Sequence, residues 1–369
     1  MINILHVISG LSVGGAEMML CKLVSCSSES EKHYVLCLSE DSASPIVKLI
    51  KDAGIEIFFV KPTRISEMFK ILKNTLPHVI QGWMYHGNLF SLFIYLMSNK
   101  QTAIVWNIRR SLYALCTEKW TTRLVIKLNS ILSFFPNKII YNSINSQVQH
   151  NCIGFDRSKA VLIPNGFDLS LFSPNSRYRK SVRKQLGFSD SEIVIGLVCR
   201  YHPKKGHAQF LMAAHMLIQK YSNTRFVLVG AGVDSSNIVI NNLLNKLGIV
   251  DFVTMLGCRD DVHVIINSFD VATSASLDEA FSNTLGEAMA TAIPCVATDV
   301  GESKILLDKY GFIVKPNSAA SLYEGWCKVI EMDANERMIM AHSGREHIKN
   351  LYSLDHVSSL YSKLYSDLK

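Results

Sequence analysis

"VLIPNGFDLSLFSP", residues 161–174, interrupts an otherwise regular alternation of short β-branched runs and longer helical stretches. Pro164, the Asn165-Gly166 turn and Pro174 make it a boundary, because proline removes backbone donors and Asn-Gly favours a tight turn. Upstream lie the strand candidates "INILHVI" (2–8), "HYVLCLS" (33–39), "IEIFFV" (55–60), "HVIQGW" (78–83), "AIVWNI" (103–108) and "KIIYNS" (138–143). Downstream the alternation restarts with "EIVIGLVCR" (192–200), "TRFVLVGAG" (224–232), "DFVTMLG" (251–257), "SFDVATSAS" (268–276), "PCVATDVG" (294–301) and "YGFIVKP" (310–316). A βαβα rhythm predicts a parallel sheet covered on both faces. Its restart predicts an α/β protein of two doubly wound, Rossmann-like domains facing a cleft, over 1–165 and 166–351. A last helix over about 352–369 can pack back on the first domain.

Composition fits this reading. At 369 residues, 48% hydrophobic and 19% charged, the chain can bury two cores and is not disordered. The longest apolar run, "LFSLFIYLM" (89–97), falls well short of the roughly 18 residues a membrane span needs. "MINILHVISG" lacks a basic region before its apolar run and reads as a first strand, not a secretion signal. The cysteines, Cys21, Cys26, Cys37, Cys116, Cys152, Cys199, Cys258, Cys295 and Cys327, form no C-x-x-C pair. They read as reduced, mostly buried thiols of a cytoplasmic protein, with no metal site.

Charge is unevenly placed. Residues 1–165 hold 17 Lys+Arg against 10 Asp+Glu, while the remainder balances at 21 of each, so the first half carries the whole net charge of +7. Between 100 and 140, Lys100, Arg109, Arg110, Lys119, Arg123, Lys127 and Lys138 face Glu118 alone. No nucleic-acid motif accompanies them, so the expected anionic partner is not nucleic acid. In "TEKWTTRLVIKLNSILSFF" (117–135), Lys119, Arg123 and Lys127 recur every four residues on one helical stripe. Trp120, Leu124, Leu128, Ile131 and Phe135 form the neighbouring stripe. Two readings stay open: a basic helix on an anionic membrane surface, or a core helix with a solvated basic edge.

Three stretches carry the chemistry. In "SGLSVGGAE" (9–17), Gly10, Gly14 and Gly15 fall where the first strand turns into a helix, whose free N–H groups suit an anion. The spacing is not G-x-G-x-x-G, which weakens a dinucleotide reading, and a tight turn that binds nothing remains the alternative. "CRYHPKKGH" (199–207) sets Arg200 at a strand end and Lys205 in the loop before Gly206, a guanidinium fork and a point charge that suit a diphosphate. A solvated Lys204-Lys205 loop is the alternative. "DEAFSNTLGEAMA" (278–290) follows another strand end, with a helix expected to start near Ser282 and Asn283 and to stop before Pro294. N–H groups near Ser282, Asn283, Thr284 and Leu285 would receive a phosphate, and Glu279 and Glu287 would accept from sugar and ribose hydroxyls. Thr284-x-x-Glu287 also fits a capping box, which would occupy Glu287 structurally.

The ordered set Arg200, Lys205-Gly206 and Glu279-x7-Glu287 resembles the retaining glycosyltransferases of family 4, with the GT-B fold. "GGAE" (14–17), "YNSINSQ" (141–147), "IPNGFD" (163–168), "LVGAG" (228–232), "MLGCRDDV" (255–262) and "PCVATDVGES" (294–303) extend the resemblance over most of the chain. "GWMYHGNLF" (82–90) and "WNIRRS" (106–111) further resemble members that build bacterial surface polysaccharide, such as O-antigen or capsule.

The resemblance implies transfer of a sugar, with retention, from a nucleotide-sugar, expected to be UDP-linked, and without a metal or other cofactor. The first domain would be the acceptor side and the second the donor side. Arg200 and Lys205 would hold the diphosphate, Glu287 the ribose, and Glu279 the donor sugar, with Phe281, Ser282 and Asn283 beside it. Gly14 and Gly15 would border the phosphates, His86 would stand on the acceptor side near the reacting centre, and Arg259 and Asp260 near the base. Without the resemblance, His86 between core-like neighbours reads as structural. The acceptor would be a lipid-linked glycan at the inner membrane face, with Lys119, Arg123 and Lys127 toward the anionic surface. Ala280 and Ala292 stand where relatives commonly carry glycine. A nucleotide-sugar 2-epimerase of the same fold and a non-catalytic nucleotide-sugar-binding subunit are the competing classes.

Overall fold

The computed structural model describes residues 1–12, 14–39, 44–98, 101–112 and 119–369. They form two compact units, residues 1–166 with 354–369, and residues 167–353.

The first unit is built on a parallel sheet of β1 (Ile2–Ile8), β2 (Glu31–Cys37), β3 (Glu56–Phe59), β4 (Val79–Trp83), β5 (Ala103–Ile108), β6 (Lys138–Tyr141) and β7 (Ala160–Leu162). The strand order is β3-β2-β1-β4-β5-β6-β7. Central strands are mainly apolar and almost wholly buried because both faces are covered. On β1, Ile4 and Ile8 join the core on one face, and Leu5 and Val7 the core on the other, as a period of two requires. The edge strand β7 arises from the start of the boundary stretch and is only partly buried; its apolar run, Ala160–Ile163, is short and ends at Pro164.

The helix Leu354–Asp367 supplies Val357, Tyr361 and Tyr365 to the Ile4/Ile8 face. Tyr365 donates its hydroxyl to Gln81 Oε1 at 2.6 Å. Tyr361 accepts from Asn107 Nδ2 at 2.9 Å and from Arg109 Nη1 at 2.7 Å. Arg109 also donates to Asn165 Oδ1 and to the Pro164 carbonyl, fixing the end of the unit to β5.

Beneath this helix lies a buried polar chain. Trp83 Nε1 meets His6 Nδ1 at 3.1 Å, His6 Nε2 meets His33 Nδ1 at 2.8 Å, and His33 Nε2 meets Glu31 Oε2 at 3.1 Å. An indole N–H only donates, so His6 Nδ1 accepts, His6 Nε2–H donates to His33, and His33 Nε2–H donates to the carboxylate. Burial, then His33, holds the His6 imidazole well below its usual range. Burial acts to raise the Glu31 carboxyl, but hydrogen bonds from His33 and Ser362 outweigh it and hold Glu31 below the usual value.

The second unit has β8 (Ile193–Val198), β9 (Thr224–Val229), β10 (Val253–Met255), β11 (Val271–Ser274), β12 (Cys295–Thr298) and β13 (Gly311–Val314), all parallel, in the order β10-β9-β8-β11-β12-β13. Phe210, Phe226 and Trp326 pack edge-to-face on one side, and Trp326 Nε1 donates to Thr273 Oγ1 at 2.9 Å. On the other side the buried Arg183 pairs with Asp270 at 2.5 Å, and Arg179 takes the second carboxylate oxygen. Asp270 is therefore committed to structure, as Asp261 is to Arg259.

In both units the strand order reverses between the first strand and its fourth: β1 and β4 here, β8 and β11 there. Ligands of open α/β sheets bind beyond the carboxyl ends of the strands at that reversal. Among the described residues no helix is long and apolar enough to cross a membrane. Of the eight described cysteines, Cys21, Cys37, Cys295 and Cys327 are buried, while Cys26, Cys152 and Cys258 are exposed, fewer buried than expected; Cys116 lies outside the described residues.

Candidate active site

In the second unit the loops leaving β8 and β11 are joined along their length. Gly206 has φ 71°, and a Cβ there would lie 1.9 Å from the Ala275 carbonyl oxygen, so only glycine lets the two backbones meet. Leu277 N donates to the Lys204 carbonyl at 2.7 Å. Lys204 Nζ reaches Asp278 Oδ2 at 2.9 Å, and Lys205 Nζ pairs with Glu279 Oε1. The Lys205 and Glu279 side chains are only 22% and 15% exposed. Arg200 sits two residues beyond β8, exposed, and without a side-chain partner among the described residues.

A third loop, after β12, closes on the second. Gly301 has φ 55° and a Cβ there would meet the Glu279 carbonyl oxygen at 2.1 Å. Glu302 N donates to the Ala280 carbonyl at 3.2 Å, and Glu302 itself is buried. Lys204, Asp278 and Glu302 were not singled out from the sequence. The adjacent pairs Lys204-Lys205 and Asp278-Glu279 were the available signal for the first two: equal and opposite charges in the same order on neighbouring loops.

The helix Asn283–Ala290 has Ser282 as N-cap, but no side chain caps it; the Ser282 hydroxyl lies 3.4 Å from that of Ser274. The Ser282 side chain thus does not cap the first turn of this helix. A capping box at Thr284-x-x-Glu287 requires Thr284 as N-cap. The helix starts at Asn283, which puts Glu287 on the fifth helical residue, half-buried and two positions beyond where a capping box needs it. Asn283 and Thr284 are also half-exposed, whereas Phe281, Ser282 and Leu285 turn their side chains inward. The Phe281 ring stacks on Phe167, 6.1 Å between centroids.

Arg259 and Asp260 lie in the loop after β10. Arg259 makes a bidentate pair with Asp261, 2.8 and 2.7 Å, and Asp260 is exposed. Backbone bonds run from Tyr201 N to Ala231 O and from Gly230 N to Gly257 O, both 2.8 Å, so the loops after β8, β9 and β10 form one series. Beside Lys205, Cys199 Sγ and His207 Nε2 are 3.6 Å apart. Burial pushes the thiol up to about 12 and the imidazole down to about 4, so this pair is neutral and no thiolate nucleophile arises.

The remaining candidates belong to the first unit. Gly14 is the N-cap of the helix Gly15–Ser25 that follows β1 and has no side-chain cap. His86 is exposed in the first turn of the helix Met84–Leu96 that follows β4. Because β1 and β4 are neighbours, Gly14, Gly15 and His86 share the strand-order reversal of that unit. Met84, at the strand–helix junction, holds φ 60°, strained for a residue with a side chain.

Lys119, Arg123 and Lys127 are exposed, as expected of a basic edge. The apolar stripe beside them is exposed too, while Ile126, Asn129 and Ser130 of the same helix are buried; residues 117 and 118 of that stretch lie outside the described residues. Of the two departures from glycine, Ala280 has no positive φ, while Ala292 has φ 54°.

Residues 192–332 match the family model described as Glycosyl transferases group 1. The chain is 26% identical over 317 residues to the putative glycosyltransferase EpsF of Bacillus subtilis (strain 168), covering 82% of this chain and 80% of that protein. It is 28% identical over 214 residues to an Escherichia coli UDP-Gal:alpha-D-GlcNAc-diphosphoundecaprenol alpha-1,3-galactosyltransferase, covering 56% of this chain and 54% of that one. Among solved structures, HepE of Anabaena in complex with UDP superposes with a TM-score of 0.86 at 19% identity, over 99% of this chain and 100% of that chain, a likeness of fold. With two parallel-sheet α/β units, the fold of GT-B proteins, and with these relatives, the chain is similar to the glycosyltransferases of group 1.

Proposed function

We propose that the chain transfers a sugar, with retention of configuration, from a UDP-sugar to a hydroxyl of a lipid-linked glycan in the synthesis of a surface polysaccharide. The observation that carries this reading is the joined pair of loops at the β8/β11 reversal. It pairs Lys205 with Glu279, three residues before the N-cap of the helix Asn283–Ala290, and carries Arg200 on the loop that leaves β8. Residues 167–353 are then the donor side, and residues 1–166 with 354–369 the acceptor side. UDP as carrier is supported by HepE, solved with UDP and with UDP-glucose. A polyprenyl-diphosphate acceptor is supported by the name of the Escherichia coli relative. That the whole excess of positive charge lies in residues 1–165 supports an acceptor held at an anionic membrane, as does the exposed row Lys119, Arg123 and Lys127.

Arg200, Lys205 and the N–H groups from Asn283 to Leu285 stabilise the leaving diphosphate. A lysine ammonium has three donors, so its pairing with Glu279 leaves two for phosphate oxygens while fixing where they point. The sugar C1–O bond breaks toward the diphosphate, the acceptor oxygen bonds to C1 on the same face, and its proton passes to a leaving phosphate oxygen. Neither glutamate is then a covalent nucleophile. Glu279 holds the sugar, Glu287 the ribose, Arg259 and Asp260 border the base, Gly14 and Gly15 border the phosphates, and His86 faces the acceptor. No metal is used in this scheme.

The test is a panel of nucleotide-sugars with and without a lipid-linked glycan acceptor, with and without chelator. Turnover that needs acceptor and survives chelation supports the reading. Epimer formed without acceptor, or loss of turnover on chelation, overturns the corresponding part. A donor that neither stabilises the protein nor turns over overturns it whole.

A further inference from the structure

The helix Trp120–Ile131 of the first unit is turned opposite to an ordinary surface helix. Its large apolar side chains face out: Trp120 is 70% exposed, Leu124 52%, Leu128 39% and Ile131 56%. Its inward face is small and partly polar, Ile126, Asn129 and Ser130. Asn129 Nδ2 donates to the Tyr85 carbonyl at 3.0 Å and Ser130 Oγ to the Ile153 carbonyl at 2.7 Å, so hydrogen bonds fix the helix to the unit. Beyond its end Phe134 and Phe135, also exposed, stack 4.4 Å apart. Single exposed leucines are ordinary; a continuous row of this size marks a surface that meets something.

The charges identify what it meets. Lys119, Arg123 and Lys127 each precede Trp120, Leu124 and Leu128 by one residue, which on a helix places the basic row about 100° from the apolar one. The helix itself contains no Asp or Glu. Apolar side chains flanked by snorkelling cations match an anionic phospholipid surface, with hydrocarbon below and phosphate at the rim. A second copy of the chain docked through the same face would bring the two basic rows together, which is unfavourable.

We propose that this face inserts into the interfacial layer of an anionic bilayer, anchored by Trp120, Leu124, Leu128, Ile131, Phe134 and Phe135. Binding then has an apolar part as well as an electrostatic part. The inference deepens the reading of a membrane-side acceptor and rests on it for its purpose.

Trp83, Trp106 and Trp326 are fully buried, so Trp120 alone of the four tryptophans reports on this surface. The experiment adds vesicles of phosphatidylglycerol and phosphatidylethanolamine to the full chain and follows tryptophan emission. The expected result is a blue shift, quenched when the acyl chains are brominated and weaker but present in high salt. Leu124→Asp/Leu128→Asp/Ile131→Asp removes it at every salt concentration. Lys119→Glu/Arg123→Glu/Lys127→Glu removes only the salt-sensitive part. No blue shift, an equal shift with phosphatidylcholine vesicles, or a lipid-independent shift growing with protein concentration overturns the proposal. Stabilisation by UDP-sugar, measured on the same variants, is independent of this surface. Its loss in the wild-type chain would instead mark failure of the proposed function.

Discussion

Lys205 and Glu279 form an ion pair that ties the loop leaving β8 to the loop leaving β11. Both side chains are largely removed from water, so deleting one leaves the other's charge poorly compensated. Lys205→Ala and Glu279→Ala should each lower the melting temperature, and the double variant should recover part of the loss. Activity should behave differently. Lys205→Ala should reduce turnover by about 10²–10³-fold, the usual cost of one transition-state donor, and the double variant should stay as low. Turnover rising along with stability in the double variant would reduce the pair to a structural role.

Gly206→Ala tests whether the joined loops matter. The added methyl would fall on the Ala275 carbonyl oxygen in a backbone conformation alanine disfavours. A destabilisation of roughly 2–3 kcal/mol in urea unfolding is expected, with turnover lost because Lys205 is displaced. An unchanged urea midpoint would show that the loops separate easily.

Ala292 offers the opposite sign. The helix Asn283–Ala290 ends with Ala292 N bonded to the Met289 carbonyl and Ile293 N to the Ala288 carbonyl, a Schellman pattern that wants glycine at the left-handed position. Ala292→Gly should stabilise the second unit by about 0.5–1 kcal/mol, a few degrees in melting temperature, by relieving the side-chain strain. Differential scanning calorimetry reads this directly, and a drop in melting temperature would contradict it.

Stability should also fall with acidification before the carboxylates titrate. Burial holds His150, in the first unit, and His207, in the second, down at about 4, against 6.5 for a solvated imidazole. Between those values the unfolded chain binds protons that the folded chain does not. Their contribution is complete above pH 6.5 and is lost as the pH falls toward 4, at about 1.4 kcal/mol per pH unit for each histidine. His6 acts in the same direction. Urea midpoints measured from pH 7 to 4.5 should decline steadily; a flat profile would mean that these imidazoles are hydrated.

What the sequence disclosed follows from where information is local. Strands such as Ile2–Ile8 and Ile193–Val198 are buried on both faces and announce themselves as long, mainly apolar runs, while Ala160–Leu162, half-exposed at an edge, is three residues long and merges with the Pro164 turn. Arg200, Lys205 and Glu279 were legible because charges at strand ends stand out against such runs. The Glu31–His33–His6–Trp83 chain was not, since it depends on the register that sets His33 opposite Ile4. Nor could the sequence say which stripe of Trp120–Ile131 faces inward. Asn129 and Ser130 decide that by hydrogen bonds to distant carbonyls, not by hydrophobicity.

The chain leaves the first unit at Gly166 and re-enters it at Leu354. During synthesis the second unit therefore emerges whole while the first still lacks Val357, Tyr361 and Tyr365. Until those residues arrive, Arg109 and Gln81 miss their tyrosine partners and the Ile4/Ile8 face is uncovered. The usual vectorial order of folding is thereby inverted: the later-encoded unit can close first, and the unit that begins earlier waits for residues 354–369 to clear the ribosome.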